Sequence, residues 1–347
     1  MRKQTVILFF LPFLILAAGC QMDKSVINVL EWDFSSPVLE QFSVESRYSL
    51  KFLFSGPVTV VSTGIYPVTD SGDENNGREA ADAYIRPEIF SGPEGVVVLT
   101  VDAPLITGQK YQVKGMVEDE RGNSLTFLLP FTGYNDRVPR LLLSEVRTEY
   151  AKPRTEFIEL YTLSAGCLAG IRIFSTGDGE DMIYEFPAAE VEAGEFIVLH
   201  MRRTGDECID EIGDSTLSGG NEAFPYARDF WLDNTKAVLP KTDVILVEER
   251  PGGALLDALL LAGEKHSAWP KAVFETAARR AFLEGVWTSG SAVSGAVVSD
   301  SATATRTFSR QGYTAGIGIP AGKDDWIVVD TGKATPGSVN SDKPYLK

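Results

Sequence analysis

Histidine is scarce in this chain, and so is cysteine. Its 347 residues include two histidines, His200 and His266, and three cysteines, Cys20, Cys167 and Cys208. No His-Glu-x-x-His pair, Cys-x-x-Cys or Gly-rich phosphate loop occurs, so the usual sequence routes to a zinc hydrolase, a dithiol redox centre or a P-loop site are closed. Positive charge is short as well. Lys and Arg number 32 against 48 Asp and Glu, a formal net charge of -16. A field of that sign repels phosphate backbones and excludes nucleic acid as a partner. Helical periodicity is nearly missing, and only the first apolar run is long. Hydrophobic residues at 44% and charged residues at 23% exclude a disordered chain. Gly 32 and Pro 18 fit a turn-dense β protein.

What is present begins at the N-terminus. Arg2 and Lys3 precede an apolar run from Val6 to Ala18, broken only by Pro12 and followed by Gly19-Cys20. A basic start, a short apolar core and small residues at the end describe an export signal. The run is too short to span a bilayer, which takes roughly 20 apolar residues. The cysteine after Ala17-Ala18-Gly19 resembles a bacterial lipoprotein signal. That resemblance implies cleavage before Cys20 and covalent lipid on its thiol. The usual Leu three residues before the cysteine is Ala17 here, with Leu16 one step earlier, a spacing that spirochaetes among other bacteria tolerate. One acyl chain binds membrane only marginally, at about 0.8 kcal/mol per buried CH₂, whereas two or three chains attach stably. The expectation is a signal over 1–19, a lipidated tether over 20–28 and a body held at the cell envelope, periplasmic or surface-exposed. Membrane lipid is then the first partner, and the covalent lipid on Cys20 stands where a cofactor would.

With Cys20 lipidated, Cys167 and Cys208 remain as an even pair in a disulfide-permissive compartment. A bridge between them would close a loop of about 40 residues and stabilise by roughly 3–4 kcal/mol. Two free buried thiols are the alternative.

Short alternating or apolar runs separated by Gly, Pro, Asn and Asp predict β-sandwich strands. Tyr48, Leu50, Phe52 and Phe54 fall on one face, Val96–Val101 is a continuous apolar run, and Tyr111–Val117 alternates. Asp119-Glu120-Arg121-Gly122-Asn123 reads as a turn between that strand and Leu125–Phe131. Leu105, Gly108, Tyr111 and Val113, then Val117, Asp119, Gly122 and Asn123, resemble the closing signature of bacterial Ig-like domains. The resemblance implies a spacer or interaction module of seven or so strands over 29–136.

Beyond Asp136-Arg137-Val138-Pro139 the order changes. Leu143-Ser144-Glu145-Val146, Glu156-Phe157-Ile158-Glu159-Leu160-Tyr161, Leu168-Ala169-Gly170, Phe186-Pro187, Ala193-Gly194, Asp257, Arg306 or Arg310, Trp326 and Thr335-Pro336-Gly337-Ser338-Val339-Asn340 follow in that sequence. This order resembles the lamin-tail domain family, with Thr162 and Ile171 departing from its usual Asn and Trp. The resemblance implies a second Ig-like sandwich over 137–341, with 342–347 as a tail. The fold class expected is therefore all-β: two Ig-like β-sandwich domains in tandem, with a short inserted helix in the second.

That helix is expected over Lys271–Glu284, after Trp269-Pro270 and before Gly285, with Ala272, Val273, Phe274, Ala277, Ala278, Ala281 and Phe282 as its apolar residues, packed on its own sandwich, with a partner-docking element as the alternative. Thr288–Thr307 reads as a mobile loop. Trp231, Trp269 and Trp287 are candidates for an exposed aromatic patch that meets a partner. The acidic stretches at 70–82 and 177–181 are the places where calcium would bind, although their spacing is not that of a calcium loop. Glu145 and Glu159 are the carboxylates to test for paired acid–base work, and in the lamin-tail resemblance they and Asp257 are structural. No catalytic or metal residue is assigned. The expectation is a non-catalytic binding, spacer or envelope-organising lipoprotein whose partner is a protein or envelope component. The alternatives are a hydrolase using loop carboxylates and a carbohydrate- or calcium-binding adhesion module.

Overall fold

The computed structural model describes residues 35–68, 84–176, 183–213, 217–220, 222–234 and 239–346. Cys20, the export signal and both acidic stretches proposed for calcium lie outside these residues. Two sandwiches follow one another, as the strand patterns predict.

The first has seven strands: β1 (Leu39–Ser46), β2 (Ser49–Phe54), β3 (Thr59–Pro67), β4 (Glu88–Ser91), β5 (Val96–Thr100), β6 (Lys110–Glu118) and β7 (Ser124–Thr132). They form a four-stranded sheet, β1-β2-β5-β4, and a three-stranded sheet, β3-β6-β7. Every pairing is antiparallel. The period-2 alternation sets the inward face. Leu50, Phe52 and Phe54 on β2 meet Val97 and Leu99 on β5 and Tyr111, Val113 and Val117 on β6 in one core. The Ig-like signature residues serve this fold. The Tyr111 hydroxyl accepts the Ile106 N–H at 3.0 Å. Asp119 accepts the backbone N–H of Arg121 and Asn123 and the Asn123 side-chain amide, closing the β6–β7 turn. Those donors, the Asn123 amide first, hold its carboxyl below the usual range.

The second sandwich contains β8 (Leu141–Arg147), β9 (Phe157–Thr162), β10 (Gly166–Cys167), β11 (Arg172–Ser175), β12 (Ile183–Glu185), β13 (Glu190–Val191), β14 (Phe196–His200), β15 (Arg228–Trp231), β16 (Asp243–Glu248), β17 (Leu255–Ala262), β18 (Val297–Val298), β19 (Phe308–Arg310) and β20 (Trp326–Val328). A six-stranded sheet, β15-β14-β9-β8-β19-β20, faces a five-stranded one, β12-β11-β16-β17-β18, and β10 pairs with β13. The two sheets share a core that includes Leu143, Ile158, Leu199, Leu246 and Leu259.

Strands β8, β14 and β16 are buried along their whole length. That happens only where both faces of a sheet are covered. On the five-stranded sheet the cover is the helix α1 (Ala272–Leu283), which lies against β16 and β17. Its apolar residues at i, i+3, i+4 and i+7 (Phe274, Ala277, Ala278 and Ala281) enter the shared core. The helix begins one residue later and ends one residue earlier than the sequence suggests, with Lys271 as its N-cap and Glu284 as its C-cap before Gly285. Gly285 takes φ +78, the left-handed turn that closes a helix cheaply only with glycine.

The Ser/Thr/Ala/Gly-rich stretch 288–307 is not the loop its composition predicts. It contributes β18, which runs parallel to the end of β17, and buries Ala296, Val297, Ala302 and Ala304. Small residues there fit a close approach to the sheet edge. The 342–346 tail is also paired: Val329 bridges Pro344, and the Tyr345 N–H donates to the Val328 carbonyl.

Candidate functional site

The densest polar cluster of the second sandwich grows from one irregularity in β8. Leu141 and Leu143 point into the shared core, while Leu142 packs on the opposite face of the six-stranded sheet. The β8–β9 register then slips between Leu143 and Glu145, so Ser144 is an extra residue. A bulge of this kind re-aims the side chains that follow. It places Glu145 directly across from Glu159 of β9, on the face away from the shared core.

The two carboxyls lie side by side, fully buried. Ser144 Oγ donates to Glu159 Oε1 at 2.6 Å, and the Gly337 N–H donates to Glu159 Oε2 at 2.6 Å. Glu145 accepts from the Thr307 hydroxyl and from the Thr335 N–H at 3.0 Å. Asn340 Nδ2 donates to the carbonyls of Ser144 at 2.7 Å and Arg310 at 2.9 Å. The segment Thr335–Asn340 is thus a strap across the outer face of the sheet, bonded to the bulge and to both carboxyls.

From the inner side, Asp257 of β17 reaches the same bulge. Its Oδ2 accepts the Leu143 N–H at 2.7 Å and Arg310 Nη1 at 2.6 Å. Arg310 also donates to the carbonyls of Leu143 and Gly318. The pair staples the five-stranded sheet to the six-stranded one, and both residues are buried.

Burial sets the protonation of these acids. Loss of water raises Glu159 well above the usual carboxylate range, the neighbouring Glu145 charge adds to the rise, and the two donors only partly offset it. Glu145 is raised by burial, with the Thr307 hydroxyl, the Thr335 amide and Arg147 pulling the other way. Burial also raises Asp257, against Arg310. Two buried acids side by side, both with raised pKa, resemble the arrangement of paired catalytic acids. Here, however, each carboxyl oxygen already accepts from the chain itself, from the Ser144 and Thr307 hydroxyls and the Thr335 and Gly337 amides.

A second buried cluster forms where β14 ends. His200 Nε2 lies 2.8 Å from Asp229 Oδ1. The imidazole is stacked on the Trp231 ring at 3.9 Å, with Phe224 on its other side at 5.8 Å. Asp229 Oδ2 accepts the Phe224 N–H, and Glu211 accepts the Asp229 and Ser218 N–H groups. Trp231 Nε1 donates to Ser218 Oγ at 2.8 Å. These bonds tie the excursion between β14 and β15 to the sheet edge. His200 is completely buried and its Nδ1 has no hydrogen-bond partner. His266 is half-buried at the wall of a separate cleft of about 630 Å³, lined also by Val297, Val298, Lys323 and Trp326.

Two expectations from the sequence need correction. Cys167 and Cys208 are both buried and unbridged. Cys167 sits in β10 opposite Glu190, with its carbonyl bonded to Asn135, whereas Cys208 lies against Thr204 and Gly220. The two environments share no neighbour among these, so export-compartment parity alone does not bring the sulfurs together. Trp231 and Trp287 are not surface aromatics either: they are 2% and 1% exposed. Trp287 Nε1 donates to the Gly295 carbonyl, and its ring belongs to the shared core. Trp269 is half-buried, its ring tilted against Phe274 at 6.0 Å, and its Nε1 donates to the Ser291 carbonyl. A large ring beside a Gly/Ser-rich stretch reads as exposed in sequence, yet here it supplies the volume those small residues leave.

Sequence reasoning did not find the Ser144 bulge, the His200–Asp229 pair or the Arg147–Glu222 ion pair at 2.6 Å. The Ser-Glu dipeptide interrupting an apolar strand was the one visible signal. Among the described residues no group of three or more His, Cys, Asp or Glu side chains is placed to hold a metal ion, and no helix is long and apolar enough to cross a membrane.

Residues 139–328 match the family TP_1001_2nd, described as a protein second domain. A Treponema pallidum (strain Nichols) protein described as uncharacterized is 30% identical over 302 residues, covering 79% of this chain and 76% of its own. Among solved structures, a DUF4876 family protein from Bacteroides thetaiotaomicron is 12% identical with a TM-score of 0.30, over 80% of this chain and 90% of that one. The N-terminal part of the bacterial S-layer protein SbsC is 15% identical with a TM-score of 0.24, over 70% of this chain. The chain spans 46% of that S-layer structure. Likenesses this distant in structure carry no argument about role.

Proposed function

This chain belongs to the TP_1001_2nd family, and from that premise we propose that it is an exported lipoprotein, anchored at the bacterial envelope through Cys20, that spaces or binds without catalysing. The observation that carries the non-catalytic part is the strap. The best-placed pair of carboxyls, Glu145 and Glu159, is fully buried and accepts hydrogen bonds from Thr335 and Gly337 of the same chain. Acceptors filled by the chain's own amides and hydroxyls support a role in holding the fold. Part of the lamin-tail-like signature, Ser144, Glu145, Glu159, Asp257, Arg310 and the Thr335–Asn340 strap, meets around that cluster, which supports reading the second sandwich as lamin-tail-like. The first sandwich, with its Ig-like tyrosine and turn contacts, acts as a spacer near the membrane, and the second faces a protein or envelope component.

The anchoring part rests on Arg2, Lys3, the apolar run and Gly19-Cys20. It is tested by expressing the wild type and Cys20→Ser in a bacterial host with radiolabelled palmitate. Wild-type protein is expected to take up label and sediment with membranes, and the variant to do neither. Equal labelling of both would refute lipidation at Cys20. The non-catalytic part is tested by screening the purified protein against ester, glycoside, peptide and phosphodiester substrates. Turnover that disappears in Glu145→Gln would refute it.

A further inference from the structure

The segment joining the two sandwiches is the least linker-like part of the chain in its bonding. Asn135 is only 8% exposed. Its Nδ2 donates to the Cys167 carbonyl at 2.6 Å and the Ala169 carbonyl at 3.0 Å, both in the second sandwich. Its Oδ1 accepts the Arg137 N–H at 3.0 Å, so all of this side chain's polar atoms are engaged. Two residues on, the Arg137 carbonyl accepts the Cys167 N–H at 2.8 Å. The Arg137 guanidinium makes a two-pronged contact with Glu190, at 2.8 and 2.5 Å. That geometry orients strongly even where solvent access weakens the energy.

The first sandwich leans on the same turn. Gly108 has φ +74, and a Cβ placed on it would fall 2.8 Å from the Cβ atoms of both Ala169 and Ala188. Three small residues therefore let the 106–109 loop touch the second sandwich. That loop is itself fixed: the Gly108 N–H donates to the Gly133 carbonyl, and the Gly133 N–H to the Gln109 carbonyl. On the flank, Arg250 of the β16–β17 hairpin lies over the Tyr134 ring at 4.8 Å, a cation–π contact.

We infer that the two sandwiches are docked as one rigid body, with Asn135 as the clamp and the Gly108–Ala169–Ala188 contact as the seat. The physical ground is redundancy. Flexible linkers stay flexible because water can serve their backbone and side-chain groups as well as protein does. Here a buried amide holds two carbonyls across the joint, and freeing it leaves those groups unpaired wherever water does not enter. The inference deepens the spacer part of the proposal above and rests on it only for its use in the cell; the joint itself is independent of Cys20. A stiff joint converts a tandem of sandwiches into a spacer of fixed angle and reach, presenting the outer loops of the second sandwich in one orientation.

The test is NMR relaxation and small-angle X-ray scattering on the isotopically labelled full-length Cys20→Ser chain in solution. Amides of strands β1–β7 and of strands β8–β20 are expected to report one common tumbling time. In Asn135→Ala/Arg137→Ala, with both sandwiches still folded by amide dispersion, that common value should be lost and the scattering distance distribution should broaden. Gly108→Trp, which drives a ring into the seat, should do the same. Separate tumbling times in the parent Cys20→Ser chain would overturn the inference. So would a retained common value in the folded Asn135→Ala/Arg137→Ala chain. If a variant fails to fold, the measurement on the parent chain decides alone. Neither result depends on palmitate uptake, so failure of the joint and failure of the anchor remain distinguishable.

Discussion

Replacing Glu159 by Gln should stabilise this protein at alkaline pH, although it removes a carboxyl that makes two hydrogen bonds. The reasoning starts from protonation. Burial first and the Glu145 charge second raise Glu159 well above its ordinary value in the folded state. In the unfolded chain it titrates normally. Between the unfolded and folded pKa values the native state therefore holds a proton that the unfolded state has released. Stability then falls as pH rises through that window, with a limiting slope of about 1.4 kcal/mol per pH unit for one group. Below the unfolded pKa both states are protonated and the penalty is absent. Glutamine imitates the protonated acid: its Oε1 accepts the Gly337 N–H, and its amide donates toward Ser144 Oγ. Glu159→Gln should thus match the wild type near pH 4 and exceed it increasingly as pH rises, with a flatter pH profile. Glu159→Ala should lose at every pH, because Ser144 Oγ and the Gly337 N–H are left buried without an acceptor. At about 1–3 kcal/mol for each unsatisfied group, the loss is roughly 2–6 kcal/mol. The assay is urea unfolding from pH 4 to 9 followed by tryptophan fluorescence, since Trp231, Trp269, Trp287 and Trp326 all report on the second sandwich. Wild-type stability that rises with pH across this range, with Glu159→Gln the less stable protein at pH 8, would refute a protonated buried Glu159.

Three further outcomes follow from named contacts. Asn340→Ala removes the donor to the Ser144 and Arg310 carbonyls and should cost about 1–3 kcal/mol in the same unfolding assay; an unchanged midpoint would mean that the strap is not held there. Phe274→Ala empties the main side chain that α1 places in the core and should cost about 3–5 kcal/mol, read by thermal unfolding. Cys167 and Cys208 should be silent to a thiol reagent in the native protein and react as two equivalents once unfolded. Three equivalents from protein purified out of membranes would show Cys20 unmodified, and fewer than two would show a bridge.

Much of the architecture was legible because it is written locally. Alternation in β2 and β6 assigns an inward face from neighbours two residues apart, and the apolar spacing of Phe274, Ala277, Ala278 and Ala281 assigns a helix within three turns. The Tyr111 and Asp119 contacts also lie within five residues of their partners. The polar cluster was not legible in this way. The structural reading of Glu145 and Glu159 came from the lamin-tail resemblance and not from the residues themselves, because a carboxylate looks the same in sequence whether water or a backbone amide faces it.

The partners of these acids lie far along the chain: the Thr335 N–H donates back to Glu145 across 190 residues. No local pattern encodes such a contact. The same holds for the thiols and the tryptophans, whose burial depends on which strands close over them. The sequence by itself determined the all-β class, the order of the strands and the site of the inserted helix, because periodicity and turn chemistry act over a few residues. Only the tertiary structure decided which side chains are walled in, which acids have their pKa raised by burial and how the two sandwiches meet. Desolvation and docking depend on the whole chain having come together around the group in question.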